Sequence, residues 1–283
     1  MMLLQDYFKY FDIWSAIESG LYYIVVGYLV LIFFYFLLMR YRTSKRFYWL
    51  YFSFLFLFLA IGRFFFIVYY FYAPELNVSD PIQIVSTLMI YYRLATFSTW
   101  LGIACLMGVL GILIFPPLTD IPVSQSGGFK GKIQILVKKK YVRVALKSSL
   151  IIIPIFVAIA ALFMPDALLM DPKFADDYGV NPSFFITIFG YPVGRALLNF
   201  VLLPIFVAII PFLYIYLATR TFGVLRRSYA LNAIGFLIYF LGRILDGLFG
   251  NIGWPHVDAV VPPLLILLSL LIIVIANNYE QLK

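Results

Sequence analysis

Five ionisable side chains stand inside stretches that would otherwise dissolve in oil: Arg63, Arg93, Arg195, Arg243 and Asp246. A charge at the bilayer centre costs about 2.5–3.5 kcal/mol on insertion scales, so each needs a reason to be there. Arginine does not escape by losing its proton, and its planar fork matches the two oxygens of a carboxylate or phosphate. Asp246 follows Arg243 at i+3, on the same helix face, and is expected to be tied to an arginine. Four arginines against one aspartate leave surplus positive charge. That surplus must meet carbonyls, water, lipid headgroups or a bound anion. Tyr70 and Tyr92 stand beside these charges, and their rings and hydroxyls suit the wall of a polar-aromatic pocket. The candidate ligand-binding set is therefore Arg63, Arg243, Asp246, Arg93, Tyr70 and Tyr92. Two plainer readings stand beside it. Arg93 and Arg195 are shallow enough to snorkel to headgroups, and the tyrosines also fit an interfacial aromatic belt.

Other chemistry is thinly represented. One cysteine, Cys105, and one histidine, His256, rule out a disulfide within the chain and multi-histidine metal or haem sites. No nucleophile–base pair and no paired intramembrane carboxylates occur. Catalysis is disfavoured, and no cofactor, metal or nucleic acid is expected. The apolar spans hold no interior lysine, so a retinal Schiff base is not available. "SGGFKGKI" at 126–133 breaks the phosphate-binding loop pattern at Ser126 and Ile133. His256 and Asp258 form at most a pH-responsive pair in a loop.

The elements that position the charges follow from hydropathy. Of 283 residues, 64% are hydrophobic and 12% charged, against about a quarter charged in soluble domains. Stretches of about 20 apolar residues fall at 20–39, 48–72, 84–115, 146–165, 192–218, 229–250 and 259–277. The fold class is thus all-α, a polytopic membrane protein with seven transmembrane helices. Pro204, Pro211, Pro262 and Pro263 predict kinks, and Gly102, Gly108 and Gly111 predict close helix approach in the third span. Three loops are basic: 40–46, 117–145 and 219–228. The intervening loops are acidic or neutral. The positive-inside rule then places the basic loops in the cytoplasm, the N-terminus outside and the C-terminus inside, with the plasma membrane as the expected location. Lys138, Lys139, Lys140, Arg226 and Arg227 are expected to meet the anionic inner leaflet or a cytoplasmic partner. Residues 1–18 read as an amphipathic helix on the outer surface, and 19–283 as the transmembrane domain. Asn77-Val78-Ser79 is a glycosylation sequon on the outer side.

A shift of 180 residues aligns Arg40 with Arg220, Arg46 with Arg226, Phe56-Leu57 with Phe236-Leu237, and Gly62-Arg63 with Gly242-Arg243. It predicts a parallel 3+1+3 repeat, with units at 19–116 and 192–278 and a linker helix at 146–165. Arg63 and Arg243 would then point toward a shared central space. This topology is similar to that of SWEET-type sugar transporters and, more loosely, of opsins. The stretch "MRYRTSKRFYWLYFSFLFLFLAIGRFFFI", from Met39 to Ile67, resembles the seven-helix sensor regions that precede histidine-kinase or cyclase domains in prokaryotes. Neither resemblance carries residues over.

Three functions stay open. One is a sensor or receptor-like subunit that binds a small anion in an outward-facing cavity and signals to a separate cytoplasmic partner. The second is a small transporter with two pseudo-symmetric halves. The third is a structural subunit that binds no ligand. A transporter requires a polar path across the midplane, whereas a sensor requires an outer cup with a closed inner half.

Overall fold

The computed structural model describes residues 12–76, 80–115, 140–180, 186–188, 190–252 and 254–278; the side chains of Lys140, Asp176, 246–248, 250–252 and Pro255 are not described. Among the described residues, seven helices are long and apolar enough to cross a membrane. They are α1 (Ile13–Ser44), α2 (Phe47–Glu75), α3 (Pro81–Ile114), α4 (Lys140–Phe163), α5 (Val193–Arg220), α6 (Gly223–Ile252) and α7 (Pro255–Asn278). Two short helices, Asp166–Leu169 and Lys173–Tyr178, lie between α4 and α5. A two-residue antiparallel ladder, Thr187–Ile188 with Tyr191–Pro192, precedes α5. The protein is an all-α, multi-pass membrane protein.

The helices outrun the apolar stretches because polar caps, not hydropathy, end them. Asp12 caps α1 by accepting the Ser15 amide at 2.7 Å, and that bond holds its carboxyl below the usual carboxylate range. Residues 13–18 therefore belong to the first spanning helix rather than to a separate surface helix. The remainder of that expected helix, 1–11, lies outside the described residues, as do Asn77-Val78-Ser79, the 126–133 loop, Lys138 and Lys139. Asp80 caps α3 in the same way, followed by Pro81 at the first helical position. A π-helical turn, Leu197–Leu202, lies just ahead of Pro204 in α5. Proline gives no N–H to the fourth residue back and crowds its carbonyl, and a widened turn relieves that clash. Pro154 also lies within a span, in α4.

Packing orders the helices as a ring: α1 on α2, α2 on α3, α3 on α5, α5 on α6, α6 on α7, and α7 back on α1. Helix α4 stands outside this ring and packs chiefly on α3. Only 17% of its apolar window is buried, against 61% for α3, so lipid covers most of α4 while α3 is the most enclosed strut. Close approach of α2 and α3 depends on glycine. A Cβ on Gly62 would stand 2.9 Å from Thr99 Oγ1 and 3.1 Å from the Ala95 carbonyl. One on Gly108 would stand 2.9 Å from the Tyr51 ring, and Gly102 packs under Leu59. The α3–α5 contact is the slightest in the ring, and it divides α1–α3 from α5–α7.

The two faces of the bundle differ in charge. Arg42, Lys45, Arg46, Arg220, Arg226 and Arg227 are exposed at the end where α1 meets the C-terminal end of α7. The opposite end carries Asp12, Glu75, Asp80, Asp166 and Asp177. Tyr35 and Arg40 of α1 meet Asn278, the last residue of α7, at the basic face, and Trp14 packs at a tilt against His256, ring centroids 4.2 Å apart, at the acidic one.

Candidate functional site

The inward arginines are distributed over three separate places. Arg63 is buried, 8% exposed, and its guanidinium lies 3.9 Å from the centroid of the Tyr22 ring on α1. The stack places a weakly hydrated cation over a buried aromatic face, a contact worth about 2 kcal/mol when desolvated. The flat guanidinium therefore points into the bundle and not at lipid.

Arg93 and Arg195 hold down the connection between α4 and α5. Arg93 Nη2 donates to Asp166 Oδ1 and to the Met164 carbonyl, both at 2.6 Å. Arg195 Nη2 lies 2.7 Å from Asp171 Oδ2, and Nη1 donates to the Leu169 carbonyl at 3.3 Å. Its guanidinium also stands 4.5 Å from the Tyr92 ring centroid. Arg195 was expected to snorkel, yet it is buried, because the loop from Pro165 to Tyr178 folds back over the start of α5 and brings an acid to it. The hydropathy of α5 carries no trace of a loop that returns.

From Asp171 a file of polar groups runs into the bundle. Arg195 and Asn199 lie one turn apart on α5, and Tyr92, Thr96 and Thr99 share a face of α3. Asn199 Nδ2 donates to the Tyr92 hydroxyl at 2.9 Å. One turn deeper, Asn199 joins Thr96, Thr99, Trp100, Phe66, Leu203 and Arg243 around a narrow cleft of about 20 Å³ at the α3–α5 seam. Arg243 reaches it from α6, its guanidinium 5.8 Å from the Phe66 ring. Thr96 is 4% exposed, and its Oγ1 has no hydrogen-bond partner among the described residues. Below the cleft Trp100 meets Phe206 edge-on at 5.5 Å, which closes the file with an aromatic layer.

A second polar cluster closes the basic end. Tyr35 donates to Asn278 Oδ1 at 2.5 Å, and Arg40 Nη2 donates to the same oxygen at 2.6 Å. Tyr48 donates to Asn277 Oδ1 at 3.3 Å, and Asn277 Nδ2 donates to Asn232 Oδ1 at 2.9 Å. Four helices, α1, α2, α6 and α7, are thereby stitched at one level. Asn232 is 1% exposed, so Asn232→Leu would leave the Asn277 amide short of a partner. A loss of about 1–3 kcal/mol is expected, read as a lowered melting temperature in detergent. An unchanged melt would mean that water serves Asn277 equally well.

The sequence-derived candidates thus part company. Arg243 lines the cleft. Tyr92, 1% exposed, sits in the file above it. Arg63 is inward but turned to Tyr22, and it does not line this cleft; the shared space expected for both arginines holds Arg243 alone of the two. Arg93 is committed to the loop. Tyr70 is 55% exposed and faces outward with Tyr72, as an aromatic belt would, while Tyr69 turns inward. Asp246 lies in α6 one turn beyond Arg243, with its side chain outside the described residues. Arg226 and Arg227 are exposed on the basic face, and Lys140 opens α4. Sequence reasoning missed Thr96, Asn199, Asp166, Asp171 and the Asn232–Asn277–Asn278 cluster. The helical spacing of Arg195 with Asn199, and of Tyr92 with Thr96 and Thr99, was the available signal. Compared with known proteins, the chain matches no family model, no curated protein and no solved structure.

Proposed function

We propose that the chain is a seven-helix sensor-like subunit that binds a small anion at Arg243, between its two three-helix groups, and passes the resulting movement to a partner at the basic face. The observation that carries this reading is the cleft itself. It lies at the slightest seam of the ring, is approached by polar residues from the acidic face, and ends at a guanidinium. An anion there gains charge-assisted hydrogen bonds and bridges α3, α5 and α6. It stabilises one arrangement of the two groups over others, which is the differential affinity a signal requires. The polar cluster at Arg40, Asn232, Asn277 and Asn278 keeps the basic end closed, as a sensor demands. Basic loops in the cytoplasm, the N-terminus outside and a plasma-membrane location complete the reading. The 180-residue repeat fits it as well, since Gly62 and Gly242 both stand at close helix contacts, with α3 and α7 respectively.

Melting of the purified protein in detergent, over propionate, phosphate, sulfate and chloride, tests it. At least one anion should raise the melting temperature of the wild type. Arg243→Gln should weaken that response by tenfold or more in concentration, whereas Arg93→Gln should leave it in place. No anion-dependent shift in the wild type would remove the proposal. A transporter remains the second reading, favoured by one feature: polar clusters toward both ends of the bundle, with buried aromatic rings between them. Flux of the same anion in proteoliposomes separates the two, since a sensor binds it without carrying it across.

A further inference from the structure

We infer that the cleft at the α3–α5 seam is a site for one ordered water, which ties Thr96 of α3 to Asn199 of α5 where the two three-helix groups meet. A water there is a property of the unliganded protein, whether or not an anion binds at Arg243.

Size sets the number of molecules. A cavity needs roughly 10–15 Å³ to hold a water. The cleft offers about 20 Å³, which admits one water and no second. Any larger guest must part α3 from α5.

Hydrogen bonding sets the kind of molecule. A buried water typically makes about three hydrogen bonds to polar groups that need them. Three such groups line the cleft. Thr96 is 4% exposed, and its Oγ1 has no partner among the described residues, a costly state for a buried hydroxyl. Asn199 gives one amide N–H to the Tyr92 hydroxyl at 2.9 Å, and its NH₂ group has a second to give. Thr99 donates its proton to the Ala95 carbonyl at 2.8 Å, which leaves its oxygen lone pairs to accept. Water donates and accepts, so one molecule serves all three: it accepts from Asn199 and Thr96 and donates to Thr99. An apolar guest would leave all three unserved. Arg243 completes the wall from α6, and the water does not call on its charge.

Position sets the consequence. The α3–α5 contact is the slightest in the ring. The Asn199–Tyr92 bond crosses it, and the water adds a second tie one turn deeper. A bridge of this kind is enthalpically nearly as good as a direct hydrogen bond. Trp100 against Phe206 closes the floor beneath it. The seam therefore holds while the water is in place and yields when the water is displaced.

Radiolytic hydroxyl labelling of the full chain in detergent, read by mass spectrometry, tests this, because a buried ring is oxidised only by a radical made from a water beside it. Trp100 is 1% exposed and lines the cleft. It should be labelled several-fold faster in the wild type than in the double variant Thr96→Val with Asn199→Leu. Tyr22, 2% exposed and outside the cleft, gives the background rate. Melting of Thr96→Val, which keeps the shape and removes the hydroxyl, supplies a sign. The melting temperature should fall, because the water loses a partner; Thr96→Ser should keep the wild-type labelling of Trp100. Trp100 labelled at the background rate in the wild type, or equally fast in the double variant, would overturn the assignment. So would a melting temperature that stays or rises in Thr96→Val, the result expected of a hydroxyl that no water serves. Labelling that depends on Thr96 and Asn199, with no anion-dependent shift in the melt, would establish the water and remove the anion reading.

Discussion

Asp171→Asn is expected to lower the stability of the protein by about 3–5 kcal/mol, the range for a buried ion pair that loses one partner. The side chains of Arg195 and Asp171 are 7% and 14% exposed, so neither is served by bulk water. The variant keeps the size of the side chain and removes its charge, and Arg195 keeps its own because arginine does not deprotonate. The Leu169 carbonyl and the Tyr92 ring then face a cation without a counter-charge. Replacing both partners by apolar residues, as in Asp171→Leu with Arg195→Met, should recover much of the loss, because no isolated charge remains. Thermal melting of the single and double variants checks this. A single variant as stable as the wild type would show that water reaches Arg195, and that the loop does not seal the acidic face.

Gly194→Ala should dislodge the same loop from the other side. Gly194 opens α5 directly beneath the short helix Asp166–Leu169. A Cβ there would stand 2.7 Å from the Leu168 carbonyl and 2.5 Å from Met164 Sδ. The methionine can swing aside, but the carbonyl belongs to a helical turn and cannot. The loop must move, and overpacking of this kind costs about 1–3 kcal/mol. The distinguishing readout is limited proteolysis between 165 and 178, which should accelerate while the melt remains cooperative. A Gly194→Ala protein with wild-type proteolysis would mean that the loop shifts without releasing Arg195.

These residues also mark what a linear reading of the chain reveals. Hydropathy located all seven spans because lipid is the solvent over most of their surface, and an apolar run of sufficient length has few other uses. It underestimated their ends, since Asp12 and Asp80 stop helices by hydrogen bonding, a signal carried by one residue each. The charge pattern singled out Arg63 and Arg243 as inward, because a deep guanidinium on an apolar helix has no path to the headgroups. It misjudged Arg195, whose partner Asp171 arrives through a fold-back of the chain that no periodicity encodes. Thr96 and Asn199 escaped notice because a single threonine or asparagine in a span is ordinary by composition. Only the meeting of α3 with α5 makes them part of one site.

An anion bound at Arg243 should move the basic end of the bundle. Phe47 and Phe222 are 66% and 85% exposed at that end, where α2 begins and where α5 gives way to α6. Spin labels on Phe47→Cys and Phe222→Cys, in a Cys105→Ser background, report the distance between the two groups by pulsed electron resonance. With saturating propionate, phosphate or chloride, at least one distribution should shift in the wild type and stay fixed in Arg243→Gln. A distribution unmoved by every one of the three, or one that moves equally in Arg243→Gln, would contradict the account.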